Sequence, residues 1–124
     1  MQMSETIAAL AEALSKAQGE IKGALKDSAN PFFKSKYADL SSVVEAIRGP
    51  FQKHGLSYVQ TTDPSEKEEV RVETTILHAS GQWLRCGILA LPVTKADAQG
   101  YGSAMTYARR YSLSAAAGVA PEQA

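Results

Sequence analysis

The hydrophobic pattern predicts an α+β domain in which two helices precede a three-stranded antiparallel meander and one helix follows it. Three observations carry this reading: apolar residues recur at helical spacing over the first half, Ser80 and Gly81 separate two long strand-like runs, and an alanine-rich stretch closes the chain. At 124 residues with 44% hydrophobic, the chain suffices for one domain with a sizeable core, so a single domain spanning 1–124 is expected.

The first helix is expected to start at Ser4 as N-cap, with Ile7, Leu10, Leu14, Ala17, Ile21 and Leu25 at helical spacing and Glu12, Lys16, Glu20 and Lys22 outside. Its stripe is narrow, so residues 1–26 either dock on the domain's own core or supply a contact between subunits. KDSANPFFKSK (26–36) breaks the pattern at Asn30 and Pro31 and is expected to be a connecting loop. Asp39 then caps a second helix whose Leu40, Val43, Val44, Ile47 and Phe51 face a core. Gly49 and Pro50 are expected to kink or restart that helix, and Gly55 to end it before the strand LSYVQTT.

EVRVETTILHA and QWLRCGILALPV flank the turn signal and form the hairpin that completes the meander. A two-residue turn pairs Ala79 with Gln82. That register sets His78 opposite Trp83, Ile76 opposite Arg85, Thr74 opposite Gly87, Val72 opposite Leu89 and Val70 opposite Leu91 on the core face. The other face pairs Leu77 with Leu84, Glu73 with Ile88 and Arg71 with Ala90, a mixed surface open to water or another subunit. In the last helix Ala104, Ala108, Tyr111 and Ala115 are expected to pack, while Ser103, Tyr107, Arg110 and Ser114 lie on another side.

Composition bounds the chemistry. Thirteen basic and thirteen acidic residues cancel, so any site for a polyanion must be a local patch. Cys86 is the single cysteine, which excludes an intramolecular disulfide or a cysteine zinc site and suits a reducing cytoplasm. No apolar run reaches the roughly 20 residues of a membrane span, and the first residues lack a signal-peptide pattern. Gly100 and Gly102 do not complete a dinucleotide fingerprint, since Met105 holds the third glycine position, and there is no Walker loop or nucleophile elbow. His54 and His78 read as helix-end and sheet-face residues, and Glu66, Glu68 and Glu69 with Lys67 as a solvated turn. No catalytic residue, cofactor site or metal site is expected.

What remains is basic and aromatic. Lys34 and Lys36 precede Tyr37 just before a helix N-terminus, which reads either as a solvated loop or as point charges beside a stackable ring. Arg109 and Arg110 sit between Tyr107 and Tyr111, with Arg109 beside Thr106. The two guanidinium groups can follow successive phosphates while Tyr107 offers a π-face, or serve as a helix-end charge pair that complements the dipole.

The runs KSKYADLSSVVEAIRGPFQKHGL, HASGQWL and DAQGYGSAMTYARRYSLSAAAGV, in that order from about Asn30 to Val119, closely resemble the ERF (essential recombination function) family of phage and prophage single-strand annealing proteins. The resemblance implies a non-enzymatic, ATP-independent protein that coats single-stranded DNA and pairs complementary strands in recombination, on a β-β-β-α core. It also implies a homo-oligomeric ring or filament, a host single-strand-binding protein or phage exonuclease as partners, and the cytoplasm of a bacterial host. Carried onto this chain, the family blocks hold Lys34, Lys36, Tyr37 and Asp39 in one motif and Gly102, Ser103, Thr106, Tyr107, Arg109, Arg110 and Tyr111 in the other. With Asp39 and the glycine assigned to structure, the expected DNA contacts are Lys34, Lys36, Tyr37, Ser103, Thr106, Tyr107, Arg109 and Arg110. Relatives usually continue past a segment like GVAPEQA into a further region, where partner contacts and final oligomer size are expected to reside. The alternative is a non-annealing coating protein, whose usual barrel needs about five strands against the three counted here. A metal-dependent nuclease would require converging carboxylates. An oligomer with no DNA role would leave a labelled oligonucleotide unshifted at low salt.

Overall fold

The computed structural model describes residues 2–27 and 39–119, without the side chains of 22–27. In chain order the elements are β1 (Gln2–Met3), α1 (Ala8–Asp27), α2 (Leu40–Lys53), β2 (Leu56–Thr62), β3 (Glu69–His78), β4 (Trp83–Pro92) and α3 (Ala98–Ala117). The strands form one sheet in the order β1-β4-β3-β2, with every neighbouring pair antiparallel. The α+β class and the meander followed by a helix therefore stand. The addition is β1, two residues that pair Gln2 with Arg85 and Met3 with Leu84; such a short strand leaves no alternating pattern to read.

All three helices bury their apolar sides against one sheet face. Leu10, Ala13, Ala17 and Ile21 of α1, Val43, Ile47 and Phe51 of α2, Leu56 and Ile76 of the sheet, and Leu113 and Ala117 of α3 form the main buried cluster. The narrow stripe of α1 is thus spent on the domain's own core. Ser4 does not cap this helix. Its N–H donates to the Trp83 carbonyl at 3.0 Å and its hydroxyl accepts from the Trp83 N–H at 3.1 Å, so it prolongs the β1–β4 pairing. The Leu10 N–H near the start of α1 donates instead to the Gln82 side chain at 3.0 Å, which ties the helix to the hairpin loop.

α2 is capped by Asp39 as expected but passes through Gly49 and Pro50 without a break. Gly49 has no Cβ to collide with the following proline ring, which relieves one of the clashes that keep residues before proline out of a helix. The helix ends at His54, and Gly55 has φ 72°.

The hairpin register is as expected at its open end, where Val70 faces Leu91, Arg71 faces Ala90, Val72 faces Leu89 and Glu73 faces Ile88. Toward the turn it slips by one residue, so that Thr75 faces Arg85, Ile76 faces Leu84 and Leu77 faces Trp83. The loop is Ala79–Gly81 rather than Ser80–Gly81, closed by a 2.9 Å bond from the His78 N–H to the Gln82 carbonyl, with Gly81 at φ 94°. Cys86 and Gly87 together oppose Thr74, and Gly87 takes up the extra residue as a bulge at φ 96°. The slip has a physical reason. The two-residue register would set Arg85 over the core, whereas the bulge turns Leu84 and Cys86 inward against the main cluster. Arg85 goes to the open face, where it donates to Glu73 Oε1 at 2.7 and 2.9 Å and to Gln2 Oε1 at 2.7 Å. Val59 and Ile88 are exposed on that mixed face.

α3 also departs from its expected phase. Ala108, Ser112, Leu113, Ser114 and Ala117 are buried, whereas Tyr111 and Ala115 face outward. In a helix this rich in alanine the few large apolar side chains set the phase, and Met105 and Leu113 both point inward. Ala108 and Ser112 let α3 lie close on β3. Ala108 packs with Val70 and Val72, and the Ser112 and Thr74 hydroxyls meet at 2.6 Å in the buried interior.

The bulge predicts that Gly87→Ala destabilises the fold by about 1 kcal/mol, because alanine disfavours a positive φ. Gly19 lies on the exposed side of α1 with nothing within 4 Å of an added Cβ, so Gly19→Ala should stabilise by about 0.5–1 kcal/mol. Urea denaturation of both variants checks the two signs.

Candidate nucleic-acid interface

The candidate surface is the outward side of α3, and its two ends are fixed by local chemistry. Asp97 caps the N-terminus by accepting from the Gly100 N–H at 2.7 Å. A Cβ on Gly100 would collide with the Lys95 carbonyl, so glycine is required for the preceding turn to fold back onto the helix. The C-terminus ends at Gly118 in the left-handed conformation, with the Val119 N–H returning to the Ser114 carbonyl at 2.9 Å.

Between these ends, Tyr107 and Tyr111 stand one helical turn apart with ring centroids 6.5 Å apart and planes within 16°. They are 52% and 40% exposed. The Arg110 guanidinium carbon lies 4.8 Å from the Tyr107 centroid and 4.9 Å from the Tyr111 centroid. One of its terminal nitrogens donates to the Tyr111 hydroxyl at 3.4 Å, while its buried Nε has no partner among the described residues. Ser103 and Tyr107 then line a groove of about 540 Å³ together with Gly100, Leu91 and Lys95, whose ammonium pairs with Asp97 at 3.6 Å.

Of the expected contacts, Ser103, Tyr107 and Arg110 therefore share one continuous surface. Thr106 and Arg109 lie on another side of the helix. The Thr106 hydroxyl donates to the Gly102 carbonyl at 3.0 Å, and Arg109 Nε donates to the side chain of Gln60 on β2 at 3.3 Å. The adjacent arginines are thus turned to different neighbours, Arg109 to the sheet edge and Arg110 to the tyrosine pair. Lys34, Lys36 and Tyr37 lie outside the described residues; the chain re-enters at Asp39.

The structure adds Tyr111, Lys95 and Gln60 to this neighbourhood. The i, i+4 spacing of Tyr107 and Tyr111 carries a signal for the first. Lys95 and Gln60 carry none, because the local fold-back of the turn before Asp97 places one and the sheet edge the other.

Charge on this side is local. The Asp39 carboxyl is held below its ordinary range, mainly by the Ser42 hydroxyl and backbone N–H at 2.7 and 2.8 Å, then by Ser41 and the nearby Arg110 charge. Elsewhere, Lys53 and His54 lower the Glu20 carboxyl, and burial raises the Cys86 thiol. No group of three or more His, Cys, Asp and Glu side chains suited to a metal ion occurs among the described residues. Nor is any described helix long and apolar enough to cross a membrane.

The family model of the ERF superfamily matches residues 10–124, from the first buried leucine of α1 through all of α3. The chain belongs to the ERF superfamily. No curated protein and no solved structure matches it significantly. Membership supports a role in phage recombination and strand annealing in general terms, and ERF superfamily proteins are annealing proteins rather than known catalysts.

Asp39 links the start of α2 to this surface and carries a pH prediction. A folded-state pKa below the ordinary 3.8 means that its stabilising contribution is present above that value and is lost as the pH falls below it. Asp39→Ala should cost about 1 kcal/mol at pH 7 through loss of the cap. The gap between variant and wild type should narrow in thermal melts recorded below the ordinary carboxylate range.

Proposed function

We propose that this protein binds single-stranded DNA across the outward side of α3 and anneals complementary strands without nucleotide hydrolysis. The observation that carries the reading is the exposed Tyr107–Arg110–Tyr111 cluster, continuous with the groove that Lys95 also lines. Cations grip a phosphate backbone without reading sequence, and tyrosine faces accept any base by stacking. Lys34, Lys36 and Tyr37 would extend this surface, Ser103 would add a polar contact along it, and Thr106 and Arg109 would meet the strand from the adjoining side of the helix.

Pairing of complementary bases is itself downhill, so the protein need only reduce strand repulsion and concentrate strands. A chain with no net charge can do so when it repeats. In a homo-oligomeric ring or filament each copy adds its few cations to a common path, and affinity falls steeply with salt. The mixed sheet face bearing Val59 and Ile88, and the outer side of α1, are the surfaces we assign to contacts between copies. A host single-strand-binding protein or phage exonuclease would act on the same strands in the cytoplasm of a bacterial host. Among the described residues the sheet is open and four-stranded, unlike the closed barrel typical of proteins that only coat strands.

The test is annealing of two complementary labelled oligonucleotides, followed by fluorescence without ATP. The wild type should accelerate pairing, and a folded Arg109→Ala/Arg110→Ala variant should lose most of that acceleration. Strand binding without acceleration would replace annealing by coating; no binding at low salt would remove both.

A further inference from the structure

We infer that Gln60 of β2 is a positioning residue that holds Arg109 ready for a phosphate, and that Arg109 and Arg110 have different tasks. The inference rests on the proposed strand-binding role. Gln60 lies on the edge strand, yet its amide is fixed from three directions. Its Nε2 donates to Thr74 Oγ1 at 3.1 Å and to the Arg109 carbonyl at 2.9 Å, while its Oε1 accepts from Arg109 Nε at 3.3 Å. Thr74 is fully buried and is itself held by Ser112 at 2.6 Å. The chain of hydrogen bonds from Ser112 through Thr74 to Gln60 therefore anchors an exposed guanidinium to the interior of the domain.

The consequence is preorganisation. Gln60 takes only Nε of Arg109, and no described residue takes its two terminal nitrogens. A guanidinium held at Nε presents the other edge of its plane, the geometry that grips a phosphate through two parallel bonds, with part of the ordering entropy already spent in folding. Gln60 is neutral, so the grip loses no charge to its support. Arg110 is placed differently. It lies against both tyrosine rings, bonds to the Tyr111 hydroxyl and has the Asp39 carboxylate nearby. Its task is to hold the tyrosine pair parallel for bases.

Filter binding of a labelled oligothymidine over a range of salt concentrations separates these roles. Arg109→Ala should weaken binding roughly tenfold and lower the slope of log affinity against log salt by about 1, the signature of one lost phosphate contact. Arg110→Ala should weaken binding with the slope kept. Gln60→Leu should weaken binding severalfold in the wild-type background and change nothing further in the Arg109→Ala background, a coupling that a merely structural role would not produce. Equal losses from Gln60→Leu in both backgrounds, or a slope lost with Arg110 and kept without Arg109, would overturn the inference while leaving strand binding intact. A folded wild type that binds no strand would overturn the proposed function and this inference with it. Should Gln60→Leu not fold, the two arginine slopes decide.

Discussion

The close approach of α3 to β3 is the constraint on which the rest depends. Ala108 and Ser112 have side chains small enough for the helix to lie against Val70, Val72 and Thr74, and the Thr74–Ser112 hydrogen bond satisfies two buried hydroxyls at the contact. That contact sets the rotation of the helix. Once Ala108, Ser112 and Leu113 face inward, helical geometry turns Tyr107 and Tyr111 outward on one flank and Arg109 toward β2 on the other. The candidate interface is thus the remainder of a helix whose packing has already been decided.

Much of the architecture was legible because it rests on patterns of strong contrast. The α2 stripe from Leu40 to Phe51, the Asp39 cap and the strand LSYVQTT alternate large apolar and polar residues clearly, and each lies where its pattern puts it. Two failures share one physical cause, weak local contrast resolved by tertiary packing. The hairpin turn admits two or three residues, and what excludes the shorter one is the cost of placing Arg85 over a core assembled from helices far away in sequence. In α3 the alanines fit either side, so Tyr111 was assigned inward when Leu113 and Met105 fix the phase. The shared side of Ser103, Tyr107 and Arg110 was legible from helical spacing, whereas Gln60 reaches α3 only through the fold.

The electrostatics follow the same division between helix and surroundings. A chain whose charges cancel cannot attract a strand through its overall field, so attraction must come from cations whose counter-charges are elsewhere. Several are already paired: Arg85 with Glu73, Lys53 with Glu20, Arg48 with Glu45 and Lys16 with Glu12. Arg109 is held by a neutral amide and Arg110 mainly by aromatic rings, and both supports leave the positive charge in place.

Supporting a cation with neutral groups also suits reversible binding. A carboxylate partner would have to be given up when a phosphate arrives, and the exchange of one ion pair for another gains little. Gln60 need not be displaced at all, because it holds the side of the guanidinium that a phosphate does not use. The tyrosine pair works by the same logic, since a stacking face costs no desolvated charge and discriminates little among bases. On the proposed reading, a surface built this way would hold any strand moderately and release it on pairing. Such behaviour matches what annealing demands, because a protein that bound one strand too tightly would compete with the complementary strand it is meant to admit.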